Sequence, residues 1–266
     1  ILIAQDTTYY GIDLYGRRRL ADVLRALSEI PEIEWIRVHY SYPEGFPEDV
    51  LRELADNPKV CRYMDIPLQH ISDRVLDNMH RHVDGAWTRA LIRRLRDEVP
   101  GVALRTTVIV GHPGEGPEEF RELLDFVKEA RFERLGAFMY SEEEGTWGAS
   151  HLRDDVPPEE KQRRYDTLMQ LQQGISAAYN ESRVGKCCKV LVDSVMDGCL
   201  IARSEFESPE VDGEIIVSVP AGWSASPANP SGPAASGTPD LRSFIGRFVN
   251  VRITEALDYD LRAELL

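Results

Sequence analysis

From residue 1 to about residue 141, short apolar runs alternate with stretches whose apolar residues recur every three or four positions. The runs read as buried strands and the longer stretches as amphipathic helices. The chain opens on ILIA, residues 1–4, the pattern of a strand buried on both faces, with polar QDTT and a glycine turn behind it. A helix follows over Arg18–Ile30, with Leu20, Val23, Leu24 and Leu27 on one face, and Pro31 stops it. Trp35–Tyr40 (WIRVHY) predicts a strand, and Pro47 opens a helix reaching about Ala55. Val60–Ile66 is the next strand, Ser72 caps a helix over Asp73–Met79, and another helix covers about Thr88–Val99. Val102–Val110 (VALRTTVIV) is a strand rich in β-branched residues, followed by a helix over Pro117–Ala130 and a strand near Leu135–Tyr140.

Repeated strand–helix units imply right-handed crossovers and a parallel sheet, here of five strands. Polar residues gather at the carboxyl ends of those strands, as QDTT, SYPEG, QHISD, GHPGE and SEEEGT. In parallel α/β folds that rim is where ligands bind. An open Rossmann-like sheet fits the alternation as well, but no GxGxxG follows any strand. Residues 157–183 predict one long helix that opens on Pro157 and Pro158 and ends near Val184–Gly185. Beyond it, short alternating strands with glycine turns predict an antiparallel all-β module of about 80 residues. The Pro/Ala/Ser/Gly tract at about 220–240, which contains Trp223, reads as a flexible insertion in that module.

A length of 266 residues allows one large domain or a large and a small one, and 42% hydrophobic with 29% charged residues is a soluble globular composition. No apolar stretch approaches the roughly 18–20 residues that span a bilayer, and no leader pattern is present. The four cysteines, Cys61, Cys187, Cys188 and Cys199, include an adjacent pair that does not read as part of a disulfide framework, which points to the cytoplasm. The formal charge of −14 makes the chain a poor binder of phosphate backbones, so nucleic acid is not the expected partner. The same field attracts a basic partner, or serves solubility alone.

VIVGHPGE, residues 108–115, carries the most information in the first part. Gly111 and Gly114 permit a tight turn after a buried strand, leaving backbone groups to face a planar or anionic ligand, although such a turn needs no ligand. Gln69 and His70 stand at another strand end; His70 is a core histidine, a cap partner or a ligand contact. Arg105 interrupts an apolar, Thr-rich strand and needs an acceptor, whether internal (Asp65 or Glu115) or a ligand carboxylate.

Taken in order, QDTTYYG, WIRVHYSYP, DIPLQHISD, LRTTVIVGHPGE and YSEEEGT resemble the methylthiotransferase branch of the radical S-adenosylmethionine (SAM) enzymes, over essentially all of residues 1–183. His112 stands where that family usually has Phe, and Gly116 where it usually has Thr. Residues 184–266 resemble a TRAM domain, and SPEVDGEIIV and EALDYDLRAEL are similar to segments of the family members that modify a ribosomal protein. The related tRNA-modifying members carry a basic segment where this chain has Glu205, Glu207, Glu210, Asp212 and Glu214.

The resemblance implies an α/β fold. It consists of a partial (β/α)6 radical SAM barrel, TIM-like and reduced here to five strands, in residues 1–183, followed by an antiparallel, OB-like TRAM barrel in residues 184–266. It implies SAM and two [4Fe–4S] clusters as cofactors of the intact protein, which supply the radical and the sulfur. The product implied is a methylthio group on the β-carbon of an aspartate in the twelfth protein of the small ribosomal subunit. That basic protein is the implied partner, docking through the TRAM domain. The SAM contacts carried over are Gln5, Thr7, Gln69, His70, Arg105, Thr107, Val110 and Gly111, with Arg105 on the methionyl carboxylate and the Val110 and Gly111 backbone on the adenine. None of the four cysteines has the C-x3-C-x2-C spacing of the family's cluster loop. No metal ligand is therefore assigned in this chain, and the cluster loop, with a further domain carrying a second cysteine set, is expected ahead of Ile1. Cys187 and Cys188 are expected to pack in a strand, one inward and one outward. A tRNA methylthiotransferase and a non-catalytic protein-binding fragment are the alternatives.

Overall fold

Four strands, β1 (Ile36–Val38), β2 (Val60–Asp65), β3 (Ala103–Val110) and β4 (Arg134–Met139), lie side by side in that order, every pairing parallel. They belong to a computed structural model that describes residues 1–220 and 240–266. Helices α1 (Ile12–Tyr15) and α2 (Leu20–Ser28) precede the sheet, and α3 (Glu48–Asp56), α4 (Asp73–Asn78), α5 (Gly85–Glu98) and α6 (Pro117–Ala130) connect its strands. Side chains alternate across a strand, so along β3 Leu104, Thr106, Val108 and Val110 are buried while Arg105, Thr107 and Ile109 are half-buried. The buried set meets Leu24, Leu51, Leu54, Leu95, Leu123 and Val127 from the helices in one core.

The expected fifth strand is reduced to a single bridge. Leu2 pairs in parallel with Val38, donating to Arg37 O at 2.8 Å and accepting from His39 N at 3.1 Å. Leu2 packs on the core, while Ile1 and Ile3 point the other way and remain 54% and 64% exposed. The run is therefore covered on one face, not two, and the sheet has four strands instead of five.

Helix ends follow local chemistry. Helix α5 starts at Gly85, ahead of the expected Thr88, because Asp84 accepts from Trp87 N at 2.6 Å and caps it. Helix α6 has the expected limits, with the Glu119 carboxylate accepting from Gly116 N at 2.9 Å and Pro117 in the first turn. Ser72 precedes α4 as expected, but its hydroxyl makes no cap bond.

The chain divides into two compact units, Ile1–Ile175 and Ser176–Leu266, and helix α8 (Pro158–Glu181) follows the short α7 (Trp147–His151). Among the described residues no helix is long and apolar enough to cross a membrane.

In the second unit β5 (Cys187–Met196), β6 (Cys199–Arg203), β7 (Ile215–Ser218), β8 (Phe248–Ala256) and β9 (Leu261–Leu265) close a barrel in the order β5-β6-β7-β9-β8. It is not wholly antiparallel, because β7 and β9 pair in parallel. An odd number of strands cannot alternate direction around a closed ring, so one pairing must be parallel. Val190, Val192, Leu200, Ile215, Val217, Val251 and Leu261 fill its interior. Cys188 packs against that core while Cys187 is exposed, the expected alternation. The tract expected to be a flexible insertion, with Trp223, falls on 221–239, outside the described residues.

Gly213 stands where the approach to β7 passes the approach to β9. A Cβ there would lie 2.0 Å from Tyr259 O, next to the bond from Glu214 N to Asp260 Oδ1 at 2.8 Å. Gly213→Ala is expected to destabilise the barrel by about 1–3 kcal/mol in denaturant unfolding. Gly174→Ala, within α8 and with nothing inside 4 Å of the new methyl, is expected to stabilise the chain by up to about 1 kcal/mol.

Candidate functional site at the strand ends

The carboxyl ends of β1 and β2 and the third residue of β3 converge on one side chain. Asp65, the last residue of β2, is fully buried. Its Oδ1 accepts from Arg105 Nη1 at 2.8 Å and its Oδ2 from Tyr40 N at 3.1 Å, while its carbonyl accepts from Ser41 N at 2.9 Å. Of the partners the sequence leaves open for Arg105, the structure supplies Asp65. A buried carboxylate is tolerated because both oxygens are bonded to donors, one of them charged.

Tyr40 adopts φ +56°, the left-handed region, where an aromatic residue is an outlier costing roughly 1–3 kcal/mol. Its carbonyl accepts from Thr7 N at 3.0 Å and from Thr7 Oγ1 at 3.3 Å, and that hydroxyl also reaches His39 O at 2.9 Å. Thr7 is thus buried and bonded to backbone carbonyls, whereas Gln5, two residues earlier, is exposed.

Gln69 is left-handed as well, at φ +69°. Its N–H donates to Thr107 O at 2.9 Å and its carbonyl accepts from Ile109 N at 2.8 Å, so it extends the β2–β3 ladder. Gln69, Arg105 and Thr107 are therefore neighbours and half-buried, with Arg105, Thr107 and Ile109 on the face whose β4 partners are Arg134, Gly136 and exposed Phe138. The Val110 carbonyl accepts from Tyr140 N at 2.9 Å. Gly111, at φ +72°, donates its N–H to the Glu115 carboxylate.

His70 faces away from this group. It is fully buried, and its Nδ1 accepts from Ser72 N at 3.1 Å, which places the ring proton on Nε2, where no partner is found. Of the three roles open to it, the structure gives that of a buried histidine bonded to a helix start. Burial, assisted by nearby His112, pushes its pKa down to about 3.

The GHPGE turn is held from α8, a contribution the motifs did not signal. Arg164 Nη1 lies 3.2 Å from Glu115 Oε1 and 2.7 Å from the Glu115 carbonyl oxygen, and burial pushes that carboxyl up to about 7 against the pull of Arg164 and two amides. Lys161 Nζ donates to Tyr140 O at 3.0 Å and meets Asp154 at 2.5 Å. A Cβ on Gly111 would lie 2.4 Å from Lys161 Cγ, so glycine is required both by its dihedral and by the lysine stem.

In the barrel unit the five acids expected to form a surface do not act together. Glu207 is buried against Arg183 and the Ser204 hydroxyl, Asp212 accepts from Ser208 N at 2.8 Å, and only Glu210 and Glu214 are exposed.

Residues 2–127 match the radical SAM superfamily, and residues 184–266 match the TRAM domain. The chain carries a radical SAM domain followed by a TRAM domain. It is 47% identical over 265 residues to the ribosomal protein uS12 methylthiotransferase RimO of Bacteroides thetaiotaomicron, covering 100% of this chain and 56% of that protein. The protein of the same name from Cytophaga hutchinsonii is 47% identical over 266 residues, again 100% of this chain and 56% of that protein. The chain thus spans little more than half the length of the curated relatives it matches. Among solved structures, the radical SAM enzyme coproporphyrinogen III oxidase from Escherichia coli is similar at a TM-score of 0.47 and 17% identity, over 70% of this chain and 50% of that one.

A radical SAM domain implies SAM and a [4Fe–4S] cluster. The donor set does not fit the cluster. Cys61 is buried in the sheet, the other three cysteines lie in the barrel unit, and no three His, Cys, Asp or Glu side chains among the described residues are placed to hold a metal. Half-buried Thr107 and exposed Phe138 lie on one face of the sheet, with the Gln69 backbone bonded to the Thr107 carbonyl.

Because the folded pKa of His70 is depressed below its ordinary 6.5, the fold favours the neutral ring. That contribution is complete above pH 6.5 and is lost as pH falls toward 3. The stability difference between the unmodified chain and His70→Asn is therefore expected to shift by roughly 1.4 kcal/mol per pH unit over that range, against the unmodified chain. A pH-independent difference in urea unfolding contradicts the assignment.

Proposed function

We propose that this chain is the SAM-binding and TRAM portion of an enzyme that methylthiolates the β-carbon of an aspartate in ribosomal protein uS12. The observation that carries the reading is end-to-end similarity, at 45–47% identity, to proteins named for that activity. The charge agrees with it: a chain of net charge −14 attracts a basic ribosomal protein and repels an anticodon stem-loop, so the tRNA-modifying alternative is not favoured. The exposed carboxylates of Glu210 and Glu214 support docking through the TRAM barrel, although Glu207 is spent internally.

The intact enzyme would use SAM with two clusters, and the cluster thiolates would come from outside this chain. Bound SAM supplies the radical and methyl chemistry; the residues here bind and orient it. Gln69 beyond β2 and Thr107 within β3 offer neutral polar contacts, and the Val110–Gly111 backbone, fixed by Tyr140 and Glu115, supplies a rigid edge for the purine. Arg105, bonded to Asp65, would share its guanidinium between that carboxylate and the methionyl carboxylate. The setting of the reaction is the cytoplasm, where ribosomal proteins are made.

With iron, sulfide, reductant and SAM, the full-length protein is expected to add one methylthio group to uS12, located on an aspartate by peptide mass spectrometry. The 266-residue chain is expected to leave uS12 unmodified while retaining it in a pull-down that weakens as salt rises. Modification of an anticodon stem-loop, and not of uS12, by the full-length protein contradicts the reading.

A further inference from the structure

Just past β4, the YSEEEGT segment turns into α7 with an aromatic ring at its start. Trp147 is 45% exposed, yet its indole is clamped by two imidazoles. His151, one turn further along α7, stacks on it at 4.7 Å, and His80, which leaves α4 at φ +54°, meets it at 3.9 Å. The loop before it is fixed as well. Glu143 O accepts from Thr146 N at 3.2 Å and from Thr146 Oγ1 at 2.7 Å, and Thr146 Oγ1 accepts from Ala149 N at 3.2 Å to cap α7. Filling the core does not account for a ring this exposed. The clamp removes beforehand the side-chain freedom that binding otherwise costs, and a rigid, accessible tryptophan is a typical anchor of protein interfaces.

The surroundings of the ring state what it would hold. From Phe138 to Asp155 the chain carries five acids against one arginine, Arg153. Asp154 and Asp155 are spent on Lys161 Nζ at 2.5 Å and on Gly114 N at 3.2 Å. Glu142, Glu143 and Glu144 are exposed, and among the described residues their carboxylates make no ion pair. Acids alone would serve solubility; beside an anchored ring they complement a cationic partner. The patch also lies at the rim. A Cβ on Gly148 would stand 3.6 Å from the Tyr140 hydroxyl, and the Tyr140 ring meets His112 of the GHPGE turn edge-on at 4.8 Å. A protein gripping Trp147 is therefore held beside the Val110–Gly111 edge. We propose that Trp147 and Glu142–Glu144 form a docking surface for a lysine- and arginine-rich segment of uS12. The proposal rests on the functional reading above and adds to the TRAM barrel a contact within the first unit.

The test measures the affinity of uS12 for the full-length protein and its variants by biolayer interferometry at rising salt. Joint replacement of the three acids, E142Q/E143Q/E144Q, should weaken binding about tenfold and flatten its salt dependence while the melting temperature holds. Trp147→Ala should weaken binding at least about fivefold with the salt dependence kept, and Trp147→Phe should recover most of that loss. An affinity and salt dependence that stay within about twofold in the triple variant overturn the docking surface, and leave the functional reading standing if the full-length protein still methylthiolates uS12. Self-association of the full-length protein that Trp147→Ala abolishes assigns the patch to a second copy and overturns the proposal too. Failure of the full-length protein to modify uS12 overturns both.

Discussion

The Asp65 carboxylate, fully buried at the end of β2, accepts from the Arg105 guanidinium on β3 and from the Tyr40 amide beyond β1. Burying a charge is costly unless its hydrogen-bonding capacity is used, and here each oxygen has a donor. The result is a crosslink from the ends of β1 and β2 to the third residue of β3, which backbone ladders alone do not supply, because β1 is only three residues long. From that crosslink follow the left-handed turn at Tyr40, the anchoring of Thr7 and the orientation of the Arg105 side chain.

The same economy recurs elsewhere in the molecule. Arg164 is spent on Glu115 beneath the GHPGE turn, and Arg183 on Glu207 in the barrel unit. These charged side chains are consumed in buried pairs that hold backbone in place. Around the sheet's carboxyl side, Gln69, Thr107, Tyr40 and Phe138 lie alongside the exposed acids Glu44, Glu142, Glu143 and Glu144.

Much of this architecture is legible from pattern alone. Alternation of apolar runs and helical periods gives the parallel sheet, and Gly116-Pro117 with Glu119 gives α6 at both ends. Features that depend on partners distant in sequence are not legible in this way. The ILIA run looks doubly buried, but only the register with Val38 decides that Ile1 and Ile3 face outward. The parallel β7–β9 pairing follows from ring closure over five strands, a count that local sequence does not contain. Glu207 reads as one of five surface acids until Arg183, 24 residues away, claims it. Tyr40 carries no glycine or asparagine to announce a left-handed turn, because its conformation is imposed by Asp65 and Thr7.

The central claim is that Asp65 and Arg105 act as one unit, and a double-mutant cycle in equilibrium unfolding measures it directly. Asp65→Asn and Arg105→Gln should each cost about 3–5 kcal/mol by leaving a buried partner unsatisfied, and the double substitution should cost no more than the worse single one. Single costs that add to within about 0.5 kcal/mol in the double variant would show two independent side chains and contradict the account.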